Sequence, residues 1–133
     1  MKLFVTGAAG FIGSNYVRNV MANTDAEVTV FDALTYAGNR ANLAEFEGSS
    51  RFTFVEGDIC NRDDVSAALP GHSHVVHFAA ESHVDRSIMG PDAFISTNVS
   101  GTNVMCDIAR QNEVERFLHI STDEVYGLSL IHI

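Results

Sequence analysis

Gly7, Gly10 and Gly13 stand between a short apolar run and an amphipathic one, and this G-x-x-G-x-x-G spacing limits the fold more than any other feature of the chain. Residues 2–6 read as a strand. Beyond them Ile12, Tyr16 and Val20 recur every four positions with Val17 and Met21 beside them, the stripe of a helix that Asn23, Thr24 and Asp25 stop. A strand turning straight into a helix over glycine leaves backbone N–H groups bare at the positive end of the helix dipole. An anion is favoured there, and with no Cβ in the way a diphosphate approaches to hydrogen-bonding distance. By analogy with the dinucleotide fingerprint, Gly7 makes the turn, Gly10 permits the close approach and Gly13 lets the helix pack on the strand.

Asp32 follows the second apolar run, 19 positions beyond Gly13. The fingerprint places an acid there against the adenosine ribose, whose hydroxyls donate to an ionised carboxylate. A 2′-phosphate in that place meets like charge, at about 4 kcal/mol per unit charge for 4 Å and an effective dielectric near 20, so the expected cofactor is NAD and not NADP. The bland reading of Asp32 is a solvated loop acid. Asp58 lies in another strand-to-helix turn, where it either accepts from an adenine amino group or caps the next helix. Phe78, Ala79 and Ala80 end a fourth apolar run, and the two small residues let a flat ligand lie against the backbone or serve tight helix packing.

Periods of two kinds alternate along the chain, which predicts an α/β protein with a Rossmann-type, doubly wound parallel sheet. Its five strands are expected at residues 2–6, 28–31, 52–55, 75–78 and 117–120, buried on both faces. Asn61, with Asp63 and Asp64 behind it, is a candidate N-cap for a helix ending near Pro70-Gly71, and Pro91 suits the first position of a helix reaching about Gln111. That last helix carries Ile95, Val99, Cys106 and Ala109 on one stripe and Phe94, Met105 and Ile108 on the next. So wide an apolar face fits either deep burial in its own core or packing against a second subunit. Residues 128–133, nearly all apolar after an expected loop, are set aside as a doubtful continuation.

With 8 basic and 17 acidic side chains among 133 residues, the net charge is −9, so nucleic acid is a poor partner. No apolar stretch nears the ~20 residues that span a bilayer. Cys60 and Cys106 fit no metal spacing and suit a reducing interior, and the glycines near the N-terminus argue against a signal peptide, so a cytoplasmic location is expected. His72, His74 and His77 are close, but a strand points them to different faces, and no metal site is expected.

Taken together, the glycine triplet, the string Asp32-Ala33-Leu34-Thr35-Tyr36-Ala37-Gly38-Asn39, the run from Ala79-Ala80-Glu81-Ser82 through Ser87, Thr97-Asn98, and Ser121-Thr122-Asp123-Glu124-Val125-Tyr126-Gly127 resemble the dTDP-glucose 4,6-dehydratases. These are a family within the extended short-chain dehydrogenases/reductases. The resemblance implies that Phe11 and Ile12 lie over the diphosphate, and that Asp32, Ala33, Leu34 and Thr35 surround the adenosine ribose. Asp58 and Ile59 would meet the adenine. Phe78, Ala79, Ala80, Ser82 and Thr97 would line the rest of the NAD path, with Ser82 and Thr122 facing a nucleotide sugar, dTDP-glucose. The implied reaction oxidises sugar C4, loses water across C5 and C6, and reduces C6. The complete enzyme would be a homodimer.

The resemblance also assigns Asp123 as acid and Glu124 as base. A C4 ketone acidifies the C5 hydrogen for a carboxylate to remove, while the departing C6 hydroxyl takes a proton from an acid still carrying one. Neighbouring strand residues face opposite ways, so both acids reach one substrate only if the backbone leaves strand geometry after Ser121. The family's oxidising Tyr-x-x-x-Lys pair is not found: the lysine of this sequence is Lys2, and none of Tyr16, Tyr36 and Tyr126 has lysine four residues on. Residues 1–127 are therefore expected to be the N-terminal portion of an NAD-binding domain, lacking the C-terminal substrate domain and inactive alone. The competing readings are an epimerase or decarboxylase of the same kind, which the adjacent acids disfavour, and a non-catalytic NAD-binding module.

Overall fold

The computed structural model describes residues 1–126, and the segment 128–133 lies outside the described residues. Five parallel strands form one sheet: β1 (Lys2–Thr6), β2 (Glu27–Asp32), β3 (Phe52–Glu56), β4 (His74–His77) and β5 (Arg116–His119). Their spatial order is β3-β2-β1-β4-β5. This is the doubly wound order, with its reversal between β1 and β4, and a crevice opens beyond the carboxyl ends of strands at such a point. The expected strands agree with these to within a residue at each end. Phe78 and Ile120 fall just past the ends of β4 and β5.

Side-chain alternation on β1 divides the core. Leu3 and Val5 point to one face, where they meet Val17, Val20 and Met21 of α1 (Phe11–Asn23) together with Val28 and Val30 of β2. Phe4 points to the other, against Phe31, with Val65 of α2 (Arg62–Ala68) and Met105, Ile108 and Ala109 of α5 (Thr102–Gln111). Burial on both faces thus holds for β1, β2 and β4. It fails for β3 and β5, whose side chains are mostly half-buried or exposed, because among the described residues each has a strand neighbour on one side alone.

Asn61 caps α2 as expected, its side chain accepting from the N–H groups of Asp63 and Asp64, and the helix ends at Ala68, slightly before Pro70. Pro91 opens α4 (Pro91–Phe94), which runs without a break in helical backbone through a π-helical segment, Ile95–Gly101, into α5. Only part of this run's wide apolar face is covered. Met105, Ile108 and Ala109 are buried, whereas Ile95 and Val99 are 59% and 60% exposed and Cys106 is also exposed, so deep burial in the chain's own core is not what the stripe records. Ile12, placed on the core stripe of α1 by its spacing, is 66% exposed because the first turn of that helix faces the crevice. Two short helices have no sequence period long enough to detect: a 3-10 helix at Arg40–Phe46, capped by the Asn39 side chain, and α3 (Val84–Met89).

A buried histidine links β1 and β4 to α5 at the crevice end of the sheet. His77 Nδ1 lies 2.6 Å from Thr6 Oγ1 and Nε2 lies 3.1 Å from Thr102 Oγ1, while Thr6 Oγ1 also accepts from the Ala79 N–H at 3.3 Å. His72 instead bonds Leu69 O and Thr29 Oγ1, and His74 bonds Ser73 Oγ. Burial first, and then the His119 ring stacked 5.2 Å away, lower the His77 pKa to about 4. The unfolded chain binds this proton below about 6.5 and the folded chain only near 4. The stabilisation is therefore complete above pH 6.5 and is lost as pH falls toward 4, amounting to about 3 kcal/mol. Urea unfolding of the native protein should show this slope, and His77→Gln should flatten it. Parallel pH profiles for the two proteins would contradict the assignment.

Candidate functional site

Five strand-end loops meet at the crevice and enclose a cleft of about 450 Å³. Gly7 to Gly13 form its floor, and the loop after β2 forms one wall through Asp32, Ala33, Thr35, Ala37 and Gly38. Gly57, Asp58 and Ile59 follow β3. The far wall is Phe78 to Ser82 with Thr97 from the π segment, and Ile120, Ser121 and Thr122 close the end beyond β5.

The three glycines of the triplet differ in what a Cβ would meet. Gly7 has φ +70°, and a Cβ there would sit 2.5 Å from Ala79 N, so this residue both makes a left-handed turn and lets the loops after β1 and β4 touch. A Cβ on Gly13 would fall 2.6 Å from Ala8 Cα, where α1 crosses its own loop. At Gly10 the nearest protein atom would be Gly7 O at 3.3 Å, with the rest of the space open toward the cleft. Protein packing constrains this position less than it does Gly7 or Gly13. Gly10 also caps the N-terminus of α1 without a side chain, in contrast to Asn61 on α2, so the first amides of α1 remain free for an anion.

Asp32 is nearly buried, and both carboxylate oxygens are engaged. Oδ2 accepts from the Ala9 N–H at 2.8 Å and Oδ1 from the Leu34 N–H at 2.9 Å. Each oxygen keeps further acceptor capacity, and Asp32 lines the cleft. Ala9 is fixed from the other direction by Asn39 N–H and Asn42 Nδ2, which both donate to its carbonyl. Leu34 adopts φ +51° and packs against the core beside α1, so its side chain is not part of the cleft lining, unlike that of its neighbour Thr35.

Asp58 lines the cleft but does not cap α2, whose N-cap is Asn61; its Oδ1 instead accepts from Cys60 N–H at 2.8 Å in the turn before that helix. Past β5 the backbone does leave strand geometry. The strand stops at His119, and Asp123–Tyr126 form a 3-10 turn immediately after Thr122. Thr122 lines the cleft; Asp123 is exposed beside it, outside the lining, and the Glu124 side chain lies outside the described residues. The sequence pattern missed Phe31, Ala37, Gly38, Gly57, Glu81, Ile120 and Ser121 as cleft residues. A signal was available for Gly57, in a strand-to-helix turn, where a Cβ would collide with the Phe31 ring at 2.5 Å. Among the described residues no group of His, Cys, Asp or Glu is placed to hold a metal ion, and no helix is long and apolar enough to cross a membrane.

A doubly wound sheet with an uncapped glycine turn and an acid at the tip of β2 defines a dinucleotide-binding protein of the Rossmann class. More narrowly, the chain belongs to the NAD dependent epimerase/dehydratase family, which it matches over residues 3–131. It is 54% identical over 127 residues to the low-salt glycan biosynthesis protein Agl12 of Haloferax volcanii, covering 96% of this chain and 41% of that protein. It is 49% identical over 132 residues to a dTDP-glucose 4,6-dehydratase of Streptomyces niveus, covering 96% and 39%. The crystal structure of DesIV, a dTDP-glucose 4,6-dehydratase from Streptomyces venezuelae with NAD bound, aligns with a TM-score of 0.92 and 51% identity over 97% of this chain and 42% of that one. The chain spans about two-fifths of the length of the curated relatives it matches.

The three glycines should separate when replaced singly by alanine. Gly7→Ala combines a backbone clash with left-handed strain and should lose roughly 3 kcal/mol or more, and Gly13→Ala roughly 1–3 kcal/mol. Gly10→Ala should lose less than about 1 kcal/mol while weakening dinucleotide binding. Urea unfolding of the three variants checks the order, and a Gly10→Ala loss equal to that of Gly7→Ala would contradict it.

Proposed function

We propose that this chain is the cofactor-binding portion of a dTDP-glucose 4,6-dehydratase, an NAD-dependent hydro-lyase that forms dTDP-4-keto-6-deoxyglucose and water. The observation that carries this reading is that one cleft runs from the glycine turn and Asp32 to Ser121-Thr122, where the chain turns into the Asp123-Glu124 pair. The similarity to dTDP-glucose 4,6-dehydratases supports the substrate.

Within this reading the amides of Phe11 and Ile12 hold the diphosphate, and Asp32, Ala33 and Thr35 hold the adenosine ribose, with Leu34 acting through its backbone. Asp58 and Ile59 flank the adenine, and Phe78, Ala79, Ala80, Ser82 and Thr97 border the remaining path. NAD, when bound, supplies the hydride acceptor for sugar C4 and the donor for C6. Ser82 and Thr122 orient the sugar, Thr122 by a hydrogen bond to a sugar oxygen. Glu124 takes the C5 proton, and Asp123 gives a proton to the departing C6 hydroxyl. Residues that oxidise C4 and that bind the nucleotide of the sugar are assigned to parts of the protein beyond this stretch, since no Tyr-x-x-x-Lys occurs within it.

Incubated with NAD and dTDP-glucose, the complete protein should give the 4-keto-6-deoxy sugar. Asp123→Asn should slow loss of water by about 100-fold or more and let the 4-keto-glucose accumulate. Mass spectrometry of the sugar nucleotides distinguishes the two products, which differ by one oxygen atom. Dehydration at an unchanged rate would remove Asp123 from the role of acid, and no 4-keto product from the unsubstituted protein would remove the reading itself.

A further inference from the structure

Glu81 is tied to its surroundings in two independent ways. Its peptide is held by the Asn98 side chain, with Glu81 N–H donating to Oδ1 at 2.8 Å and Asn98 Nδ2 donating to Glu81 O at 2.8 Å. Its carboxylate accepts from Tyr36 Oη–H at 3.1 Å, and the Arg86 guanidinium lies 3.7 Å over the Tyr36 ring. Tyr36 belongs to the loop after β2, next to Ala37 and Gly38 of the cleft wall, whereas Glu81 belongs to the wall after β4. Asn98 stands in the π-helical segment beside Thr97, itself a cleft residue. Such segments recur at functional sites.

The Asn98 bonds lie within one wall, whereas the Tyr36–Glu81 bond joins the loop after β2 to the loop after β4. The Tyr36 bond is exposed to solvent and is worth little to the stability of the fold as a whole. What it does locally is join two walls that the sheet does not connect at this level. We propose that Glu81 is a positioning residue that fastens the loop after β2 to the loop after β4 and to the π-helical segment, so that the two walls hold a bound dinucleotide as one jaw. The inference rests on the cofactor reading above and adds to it a residue that governs release. A reaction that returns to the sugar the hydride it removes gains from slow release, because the dinucleotide then stays through the whole cycle.

The test is the rate at which NAD leaves the purified protein, followed by displacement with excess unlabelled NAD. Tyr36→Phe removes a single oxygen and Glu81→Ala the carboxylate. Each should speed release about fivefold. The double variant should release no faster than about tenfold over the native protein, since both changes break one bond. Glu81→Gln keeps a carbonyl acceptor for Tyr36 and should restore slow release, and the melting temperature of the ligand-free Tyr36→Phe protein should stay at the native value. Unchanged release from Tyr36→Phe and Glu81→Ala with NAD still binding overturns the jaw and leaves the cofactor reading intact, and so do effects that multiply in the double variant. Failure of the native protein to bind NAD refutes both.

Discussion

The bond from the Ala9 N–H to Asp32 Oδ2, 2.8 Å long and buried, connects the turn after β1 to the tip of β2. Charge-assisted bonds of this kind are worth roughly 1.5–3 kcal/mol, and the same carboxylate also accepts from Leu34. The glycine turn has few side chains with which to fix its own shape. Its conformation comes from outside: from Asp32 on the Ala9 amide, from Asn39 and Asn42 on the Ala9 carbonyl, and from Ala79 packed against Gly7. An acid at the end of β2 thus shapes the turn before any ligand arrives. Its remaining acceptor capacity at the cleft is what the proposed ribose-binding role would use.

Left-handed backbone at Leu34 belongs to the same arrangement. For a residue with a Cβ this conformation costs roughly 1–2 kcal/mol. In return the loop directs the Leu34 N–H to Asp32 while its side chain enters the core beside α1. Thr35 is then left facing the cleft. The distribution of caps follows a similar division. α2 and the 3-10 helix have asparagine side chains on their first amides, and α1, which opens onto the cleft, has none.

The strands were legible because β1, β2 and β4 are covered on both faces and so are apolar without interruption, and because β3 and β5 keep enough of that character at the sheet borders. Glycine spacing and Asp32 located the cleft for the same reason: turn chemistry is local in sequence. Spacing alone does not settle burial where tertiary position decides it. Ile12 has the spacing of a core residue yet faces the crevice, and Leu34 sits among cleft residues yet packs inward. Glu81 lines the cleft although nothing in its sequence context marks it, and Ile120 and Ser121 reach the cleft because β5 lies next to β4. No pattern in sequence carries such information. The apolar face at Ile95 and Val99 shows the converse, a stripe longer than the core that the described residues build.

Calorimetric titration of the folded protein with NAD and, separately, with NADP bears on all of this at once. A bare glycine turn with an ionised acid beside it predicts saturable one-to-one binding of NAD and affinity for NADP at least about 100-fold weaker, from the like charge at Asp32. Equal affinity for the two, or no heat with NAD, would contradict the anion-binding role of the turn and the ribose-binding role of Asp32.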